Sequence, residues 1–313
     1  EEKVTLSTPK SVTLQGNLFE EFTAEGQGDE KKSILKSLKT INSDYQLIDT
    51  EEKRRELYEI LITSKILALD TETTSTDPID AELVGMSFSI KENQAFYVPV
   101  PPNYDEAQKI VKEFQPIFEN EEILKVGQNM KYDLLVLGNY GVELRGPMFD
   151  TMIAHYVLQP ELRHNMDYLA EIYLNYETIR IEELIGAKGK NQGNMRDLPA
   201  EAVYQYACED ADVTLKLKNI LEKELEANGV SSLFYEIEMP LMPVLAQMER
   251  NGVRIDTNAL KESSLHFTNR MQQIENEVHQ LAGIDFNIAS PKQVGEVLFD
   301  RLKITAKAKK TKT

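Results

Sequence analysis

Carboxylate side chains recur in three short segments of this 313-residue chain, at spacings that can build one reactive site. The four acids are Asp70, Glu72, Asp133 and Asp210. If the fold gathers them in one pocket, their mutual repulsion is costly unless divalent cations lie between them. Such a pocket is typical of a metal-dependent phosphodiesterase. It forms only if secondary-structure elements bring the three segments together.

The first pair of acids lies at the end of a predicted strand. Residues 65–69 form a short apolar run, and strand side chains two positions apart point the same way. Asp70 and Glu72 therefore share one face at the edge of a sheet where active sites of open α/β folds lie. A lone Asp-x-Glu in so acidic a chain is usually a solvated turn, so the prediction depends on all three segments.

The other two segments place polar groups one helical turn apart. Asn129 and Asp133 follow a predicted strand at 123–126, and Tyr206 and Asp210 lie within a longer predicted helix. Taken alone, the first pair is more typical of a helix cap and the second of a half-buried helix face. The order of the three segments along the chain favours a common site.

Three ordered motifs resemble those of the proofreading 3′-5′ exonuclease domain of family A DNA polymerases, the bacterial DNA polymerase I type. The motifs are Asp70-x-Glu72, Asn129-x-x-Tyr132-Asp133 and Tyr206-x-x-x-Asp210. The segments KVGQNMKYD, FDTMIAHYVL, KGKNQ, YACEDADVTLKL and IEMPLMPVLAQMERNGVRID also resemble that family, in its order. The resemblance covers residues 43–313. A tyrosine at position 206 places the chain in the tyrosine subclass of these exonucleases.

The resemblance implies an α/β fold, with a ribonuclease-H-like exonuclease domain whose mixed sheet is flanked by helices, followed by an α-helical segment from the base of the polymerase thumb. The predicted domains are a flexible linker at 1–42, the exonuclease domain at 43–228 and a truncated N-terminal helical part of the polymerase domain at 229–313. Strands are predicted at 45–48, 66–71, 83–90, 94–100 and 123–126, and helices at 51–63, 105–119, 232–250, 257–281 and 290–302. The palm and fingers motifs of the polymerase family are absent from this sequence, so the fragment is not expected to polymerise nucleotides. Its full-length parent is expected to do so.

The mechanism that the resemblance implies is two-metal hydrolysis of the 3′-terminal phosphodiester of DNA, with release of a nucleoside monophosphate. In that mechanism Asp70 bridges both ions, Glu72 and Asp210 complete the first site, and Asp133 holds the second, mostly through water. The ligand set contains oxygen alone, without thiolate or imidazole, which favours Mg²⁺ or Mn²⁺.

Further roles follow from the same resemblance. Tyr206 is expected to orient the attacking water together with Glu72, because a phenol of ordinary pKa near 10 is a poor base at neutral pH. Asn129 and Tyr132 are expected to support the site without touching the reaction. Asp150 is predicted to cap the helix that begins at Thr151, and Asp212 and Cys208 are predicted to face away from the pocket.

Binding of the single-stranded 3′ end is assigned to a small group of polar residues. The group consists of Thr73, Lys188, Lys190, Asn191 and Gln192. The net charge of −17 argues against tight duplex binding, so weak and salt-dependent binding is expected. Two positions depart from the family, because Thr76 and Ile181 stand where an apolar wedge and an aromatic stacking residue are usual. We therefore expect turnover with poor affinity for the terminus.

Composition and short segments bear on location and partners. The chain has one cysteine and no apolar run long enough to span a membrane, so the cytoplasm is the default expectation, and a monomer is expected. Residues 15–19, from Gln15 to Phe19, resemble the short peptide with which bacterial polymerases engage the sliding clamp. The competing interpretation of that segment is a local hydrophobic contact.

Three other functions fit parts of the pattern. An RNA-trimming exonuclease of the same superfamily would share the motifs, although the polymerase-like continuation after Glu236 argues against it. A catalytically weak domain that only positions DNA is opposed by the four intact carboxylates. An acidic helical interaction module is supported by the net charge alone.

Overall fold

The computed structural model describes residues 35–305, so the clamp-like segment 15–19 lies outside the described residues. Internal contacts divide the chain into two units, of which the first ends at Met239 and the second begins at Pro240. The domain limits 1–42, 43–228 and 229–313 remain predictions. Among the described residues, no helix combines the length and the apolar character needed to cross a membrane.

A six-stranded mixed sheet forms the centre of the first unit, in the order β1-β4-β3-β2-β5-β6. The strands are β1 (Asp44–Leu47), β2 (Ile66–Thr73), β3 (Leu83–Lys91), β4 (Gln94–Pro99), β5 (Leu124–Gly127) and β6 (Met148–Asp150). β2 pairs antiparallel with β3 and parallel with β5, so it lies inside the sheet. The predicted mixed sheet flanked by helices is confirmed, and its interior strand is the one that carries the first two acids.

Helices pack around this sheet and continue through the second unit. They are α1 (Glu51–Ile62), α2 (Tyr104–Glu113), α3 (Gln115–Phe118), α4 (Met130–Asn139), α5 (Thr151–Leu158), α6 (Met166–Leu169), α7 (Ile181–Ile185), α8 (Ala200–Ala227), α9 (Ser231–Leu233), α10 (Met239–Asn251), α11 (Thr257–Ala282) and α12 (Pro291–Gly295). The single helix predicted at 105–119 is two helices separated by Phe114. Pro116 explains the break, because a proline lacks the amide hydrogen that would continue the helical hydrogen bonds from α2, whereas it is tolerated in the first turn of α3.

The core lies between the sheet and α8, which packs against β2, β3 and β4. Leu67 and Leu69 of β2 are fully buried, as expected for a strand covered on both faces. The rings of Phe88 and Phe114 stack at 5.4 Å between centroids and fill the core beneath β3. The contacts of α8 with the sheet fix β2 relative to α8, and these are two of the three elements that carry the acids.

A close approach inside the sheet explains one glycine. Gly85 of β3 pairs with Glu72 of β2, and a Cβ at position 85 would lie 2.3 Å from the Tyr97 hydroxyl oxygen. The Tyr97 ring therefore occupies the space that a side chain would need. Gly85 and Tyr97 are both buried, and Gly85 is the partner of Glu72 in the sheet. Their close packing therefore holds the backbone that carries the Glu72 carboxylate.

The second unit is helical in its described part, residues 240–305. Asp256 caps α11 by accepting hydrogen bonds from the backbone amides of Asn258 and Ala259, and Gly283 ends that helix with a φ of 65°. A left-handed residue of this kind favours glycine, and it stops the helix at Ala282. The helix predicted at 290–302 is α12 followed by a π-helical turn at Glu296–Arg301.

Candidate metal-binding active site

The three predicted clusters line one cleft of about 630 Å³. Its walls come from the end of β2, the beginning of α4, the first half of α8 and the loop after α7. The predicted site residues that line it are Asp70, Glu72, Thr73, Asn129, Tyr132, Asp133, Lys188, Gln192, Tyr206 and Asp210. Lys190 and Asn191 are exposed on the loop and do not line the cleft. The spacing argument from strand and helix periodicity thus led to residues that the fold brings together.

Three of the four acids form a compact group, which we call the carboxylate trio. Each of Asp70, Glu72 and Asp210 offers a carboxylate oxygen within 4.8 Å of the others. Glu72 Oε1 is buried and accepts no hydrogen bond from the described residues. A buried carboxylate oxygen without a donor is costly, and a cation between the three groups would remove that cost.

The fourth acid lies in the same cleft but outside the trio. Asp133 is buried and accepts a 2.6 Å hydrogen bond from the hydroxyl of Thr71. Burial and, after it, the negative charge of Asp70 raise the pKa of Asp133, so Asp70 and Asp133 interact electrostatically. Sequence reasoning missed Thr71, because its only signal is a position between the two acids of β2, where neighbouring side chains point to opposite faces.

Burial dominates the protonation of these acids. It raises the pKa of Asp70 to about 6 and lifts the pKa of Glu72 well above its ordinary value, with the charge of Asp70 as the second cause. The pKa values of Asp133 and Asp210 are raised in the same way, first by burial and then by Asp70. Four acids that resist ionisation in one cleft are suited to a neutralising cation.

The raised pKa of Asp70 predicts a pH dependence of stability in the metal-free protein. The folded state holds the Asp70 proton more tightly than the unfolded state, so its contribution to stability is full below pH 4 and is lost as the pH rises through about 6. The difference from the ordinary value of 3.8 corresponds to at most about 3 kcal/mol. Urea unfolding in EDTA at pH 4.5 and pH 7 measures it.

Asp70→Asn is the matched variant, because it cannot titrate. We expect the variant to be more stable than wild type at pH 7, with a smaller advantage at pH 4.5 that vanishes well below pH 4. A stability difference that is the same at both pH values would contradict the assigned pKa of Asp70.

Tyrosine hydroxyls occupy two sides of the cleft. Tyr206 donates a hydrogen bond to Asp210, and burial together with the charge of Asp210 places its pKa far above the ordinary value. Tyr206 therefore remains a protonated donor at neutral pH. The hydroxyl of Tyr132 contacts the Thr73 hydroxyl and donates to the carbonyl of Ser75, which ties α4 to the loop that follows β2.

The beginning of α4 depends on an acid from another strand. Asn129 precedes α4 in the left-handed conformation, with φ 65° and ψ 45°, and its side chain makes no capping hydrogen bond. Asp150 instead accepts from the Met130 amide at 2.7 Å, while it also caps α5 through the amides of Met152 and Ile153. The predicted cap on α5 is confirmed, and the second role of Asp150 on α4 was not foreseen.

The neighbours of Asp210 on α8 face away from the cleft, as predicted. Asp212 accepts hydrogen bonds of 2.7 Å from the Tyr45 hydroxyl, the Asn93 amide and the Lys216 ammonium group. Cys208 does not line the cleft and is buried in a hydrophobic cluster with Tyr97 and Val203. Two aspartates only two positions apart on one helix thus have opposite surroundings, one among acids and one among donors.

Comparison with known proteins gives this geometry a family. Residues 45–226 match the family described as 3′-5′ exonuclease, and residues 257–313 match DNA polymerase family A. The chain belongs to the DNA polymerase I family. Its 3′-5′ exonuclease region contains the whole cleft, which makes the cleft the candidate site of a nuclease.

Curated relatives have the same name in several bacteria. The chain is 42% identical to DNA polymerase I of Pseudomonas aeruginosa over 249 residues, which is 76% of this chain and 27% of that protein. It is 36% identical to DNA polymerase I of Borreliella burgdorferi over 306 residues, covering 92% of this chain and 33% of the relative. The chain therefore spans about a third, or less, of the length of these relatives.

Solved structures share the fold at lower identity. The POL domain of Pol1 from M. smegmatis, in complex with DNA primer-template and dNTP, matches with a TM-score of 0.68 and 22% identity over 85% of this chain and 42% of that one. Brucella melitensis NrnC matches with a TM-score of 0.53 and 19% identity over 69% of this chain and 98% of that one. These likenesses support the fold of the exonuclease region.

Proposed function

We propose that the cleft is the active site of a two-metal 3′-5′ exonuclease that proofreads DNA by hydrolysing the 3′-terminal phosphodiester. The carboxylate trio supports this proposal most directly, because its three acids lie within 4.8 Å of one another, could hold a cation, and are inside the matched exonuclease region. The oxygen-only donor set fits Mg²⁺ or Mn²⁺. The parent protein would be a DNA-directed DNA polymerase that acts in replication and repair.

The four acids of the cleft would be the cation ligands. Asp70, Glu72 and Asp210 would hold cations together with Asp133, which lies in the same cleft outside the trio. The bound ions would activate a water and stabilise the leaving 3′ oxygen. Tyr206 and Glu72 would orient that water, since the Tyr206 hydroxyl keeps its proton.

The remaining cleft residues would position the strand. Asn129 lies at the rim and Tyr132 fixes the loop after β2, so both would support the site rather than react. Thr73, Lys188 and Gln192 would contact the nucleotide from the cleft walls. Two further residues of the loop, Lys190 and Asn191, would meet the strand outside the cleft.

We propose the partners and the location of the protein on the same grounds. The fragment would act as a monomer in the cytoplasm and bind a single-stranded 3′ end weakly, in keeping with a net charge of −17. Residues 15–19 would engage the sliding clamp. Unchanged clamp binding after Leu18 and Phe19 are both replaced by alanine would remove the clamp proposal.

The test is an end-resolved digestion assay. Single-stranded DNA labelled at its 5′ end is incubated with the protein and Mg²⁺, and in parallel with EDTA. We expect a ladder that shortens one nucleotide at a time from the 3′ end, with mononucleotides as product, and no cleavage in EDTA. Internal cleavage, release from the 5′ end or equal activity in EDTA would refute the proposal.

The second candidate function is an RNA-trimming exonuclease, and a comparison of RNA with DNA as substrate distinguishes it from the first. An RNA-trimming exonuclease would share the carboxylates, and NrnC shares the fold over 69% of this chain. The matches to DNA polymerase family A and to DNA polymerase I favour DNA. Faster trimming of RNA than of DNA of the same sequence would reverse that preference.

Thr76 and Ile181 provide a prediction about affinity for the terminus. Both line the cleft, where an apolar wedge and an aromatic ring would contact the last bases. We expect Thr76→Leu or Ile181→Phe to lower the KM for single-stranded DNA about 5-fold or more, because base stacking contributes roughly 1–3 kcal/mol and about 1.4 kcal/mol is a factor of ten. Steady-state kinetics with a labelled oligonucleotide measure it, and an unchanged KM in both variants would show that these positions do not touch the terminal bases.

A further inference from the structure

One asparagine side chain joins two walls of the cleft. Asn194 Nδ2 donates a 2.8 Å hydrogen bond to the carbonyl of Thr74, although the two residues are 120 positions apart. Thr74 follows β2 directly and lies two residues after Glu72, whereas Asn194 follows the loop of residues 186–193, which we call the lysine loop. This bond therefore joins the end of β2 directly to the segment that follows the lysine loop.

Both ends of this bond are firmly held. The Thr74 amide donates to the Glu82 carbonyl at 3.0 Å, and the Glu82 amide donates back to the Thr74 hydroxyl at 3.0 Å. On the other side, Asn194 Oδ1 accepts from the Arg196 amide at 2.9 Å, and the Arg196 guanidinium donates to the Val100 carbonyl at 2.8 Å. The Asn194 amide therefore links two parts that are each fixed to the sheet.

The lysine loop is closed at its base. The Gly193 amide donates to the Ile185 carbonyl at 2.7 Å, so the loop leaves and re-enters the fold at one point. Lys188 and Gln192 project from this loop into the cleft lining. Because the loop is pinned at its base, the hydrogen bond of the next residue, Asn194, is one of the contacts that set its position over the cleft.

We propose that Asn194 is a positioning residue that holds the lysine loop against the end of β2, so that Lys188 and Gln192 meet the phosphate groups next to the 3′ end of a DNA strand. The inference rests on the proposed exonuclease function. Asn194 touches none of the four acids in this role. It fixes the distance between the strand that carries Glu72 and the loop that grips the substrate.

A serine at position 194 would keep one of the two hydrogen bonds of the Asn194 side chain and lose the other. In Asn194→Ser, the hydroxyl can still accept from the Arg196 amide and cap the short helical turn at Met195–Asp197, but it cannot reach Thr74. We expect the KM for single-stranded DNA to rise about 3- to 10-fold, as for loss of one neutral hydrogen bond, with kcat within about two-fold. The rise in melting temperature that Mg²⁺ produces should equal that of wild type.

Limited proteolysis reports on the loop without any assay of activity. Trypsin cuts after lysine, and Lys188 and Lys190 are exposed. We expect cleavage at these two sites to become about 3- to 10-fold faster in Asn194→Ser, because one hydrogen bond fewer opposes opening of the loop. Mass spectrometry of the fragments separates these cuts from cuts elsewhere in the chain.

The outcomes separate this inference from the function on which it rests. A wild-type protein that releases no nucleotides refutes the proposed exonuclease. Active wild type together with an unchanged KM and an unchanged rate of tryptic cleavage in Asn194→Ser overturns the role of Asn194 alone. If the variant instead loses kcat and the Mg²⁺-induced rise in melting temperature together, Asn194 acts on the carboxylates and the inference is also overturned.

Discussion

Replacing Asp70 with asparagine lowers kcat for release of the 3′-terminal nucleotide by at least about 10²- to 10³-fold. Asp70 is the acid whose charge raises the pKa values of Glu72, Asp133 and Asp210, so it lies electrostatically at the centre of the cleft. An amide of the same shape offers one neutral oxygen and cannot neutralise two cations. Single-turnover digestion of labelled single-stranded DNA in Mg²⁺ measures the loss.

The control for this variant is Asp105→Asn. Asp105 is an exposed acid in the first turn of α2 and does not line the cleft, so its replacement changes the net charge equally and should leave kcat within about two-fold. Folding of Asp70→Asn is checked by unfolding in EDTA, where it should be at least as stable as wild type at pH 7. Wild-type turnover by folded Asp70→Asn would show that the cleft is not the site of reaction, and any activity present would then come from a contaminant.

Asp210→Asn is expected to stabilise the metal-free protein and Asp212→Asn to destabilise it. Asp210 faces two other acids within 4.8 Å, so removing its charge relieves repulsion, and the melting temperature in EDTA should rise by about 2–4 °C, on the order of 1 kcal/mol. Asp212 is fully buried and paired with Lys216, so its replacement should cost about 3 kcal/mol or more. Differential scanning calorimetry at pH 7 measures both.

Mg²⁺ provides the second half of this experiment. Wild type and Asp212→Asn retain the trio, so a saturating ion should raise their melting temperatures equally, whereas Asp210→Asn should gain much less because a ligand is missing. The stability order of wild type and Asp210→Asn should therefore reverse between EDTA and Mg²⁺. If Asp210→Asn is destabilised in EDTA as strongly as Asp212→Asn, the repulsion within the trio is not significant.

These two pairs of results would distinguish a site organised around cations from one organised for stability. Burial and then the charge of Asp70 raise the pKa values of Glu72, Asp133 and Asp210, and Glu72 Oε1 has no hydrogen-bond donor among the described residues, which a structural network avoids. The Asp212 network satisfies its acid with three donors within hydrogen-bonding distance. Function is thus expected where the free energy of folding is locally unfavourable.

The residues of the site could be predicted because local periodicity fixes their direction. Side chains two apart on β2 and four apart on α8 share a face whatever the rest of the fold does, so Asp70 with Glu72, and Tyr206 with Asp210, were paired before any tertiary contact was known. The mixed sheet followed from the resemblance to the exonuclease family together with the predicted order of strands and helices. The break at Phe114 was missed because one proline ended a pattern that otherwise continued.

The chain by itself determined which chemical groups are available and which of them point the same way. Only the tertiary structure decided that Asp133 lies outside the trio on Thr71, that Asp150 caps two helices, and that Asn194 bonds to Thr74. Each of these contacts joins elements far apart in the chain, and their distances depend on how β2, α4 and α8 pack around the common core. Packing of that kind is a property of many residues at once, so no local spacing encodes it.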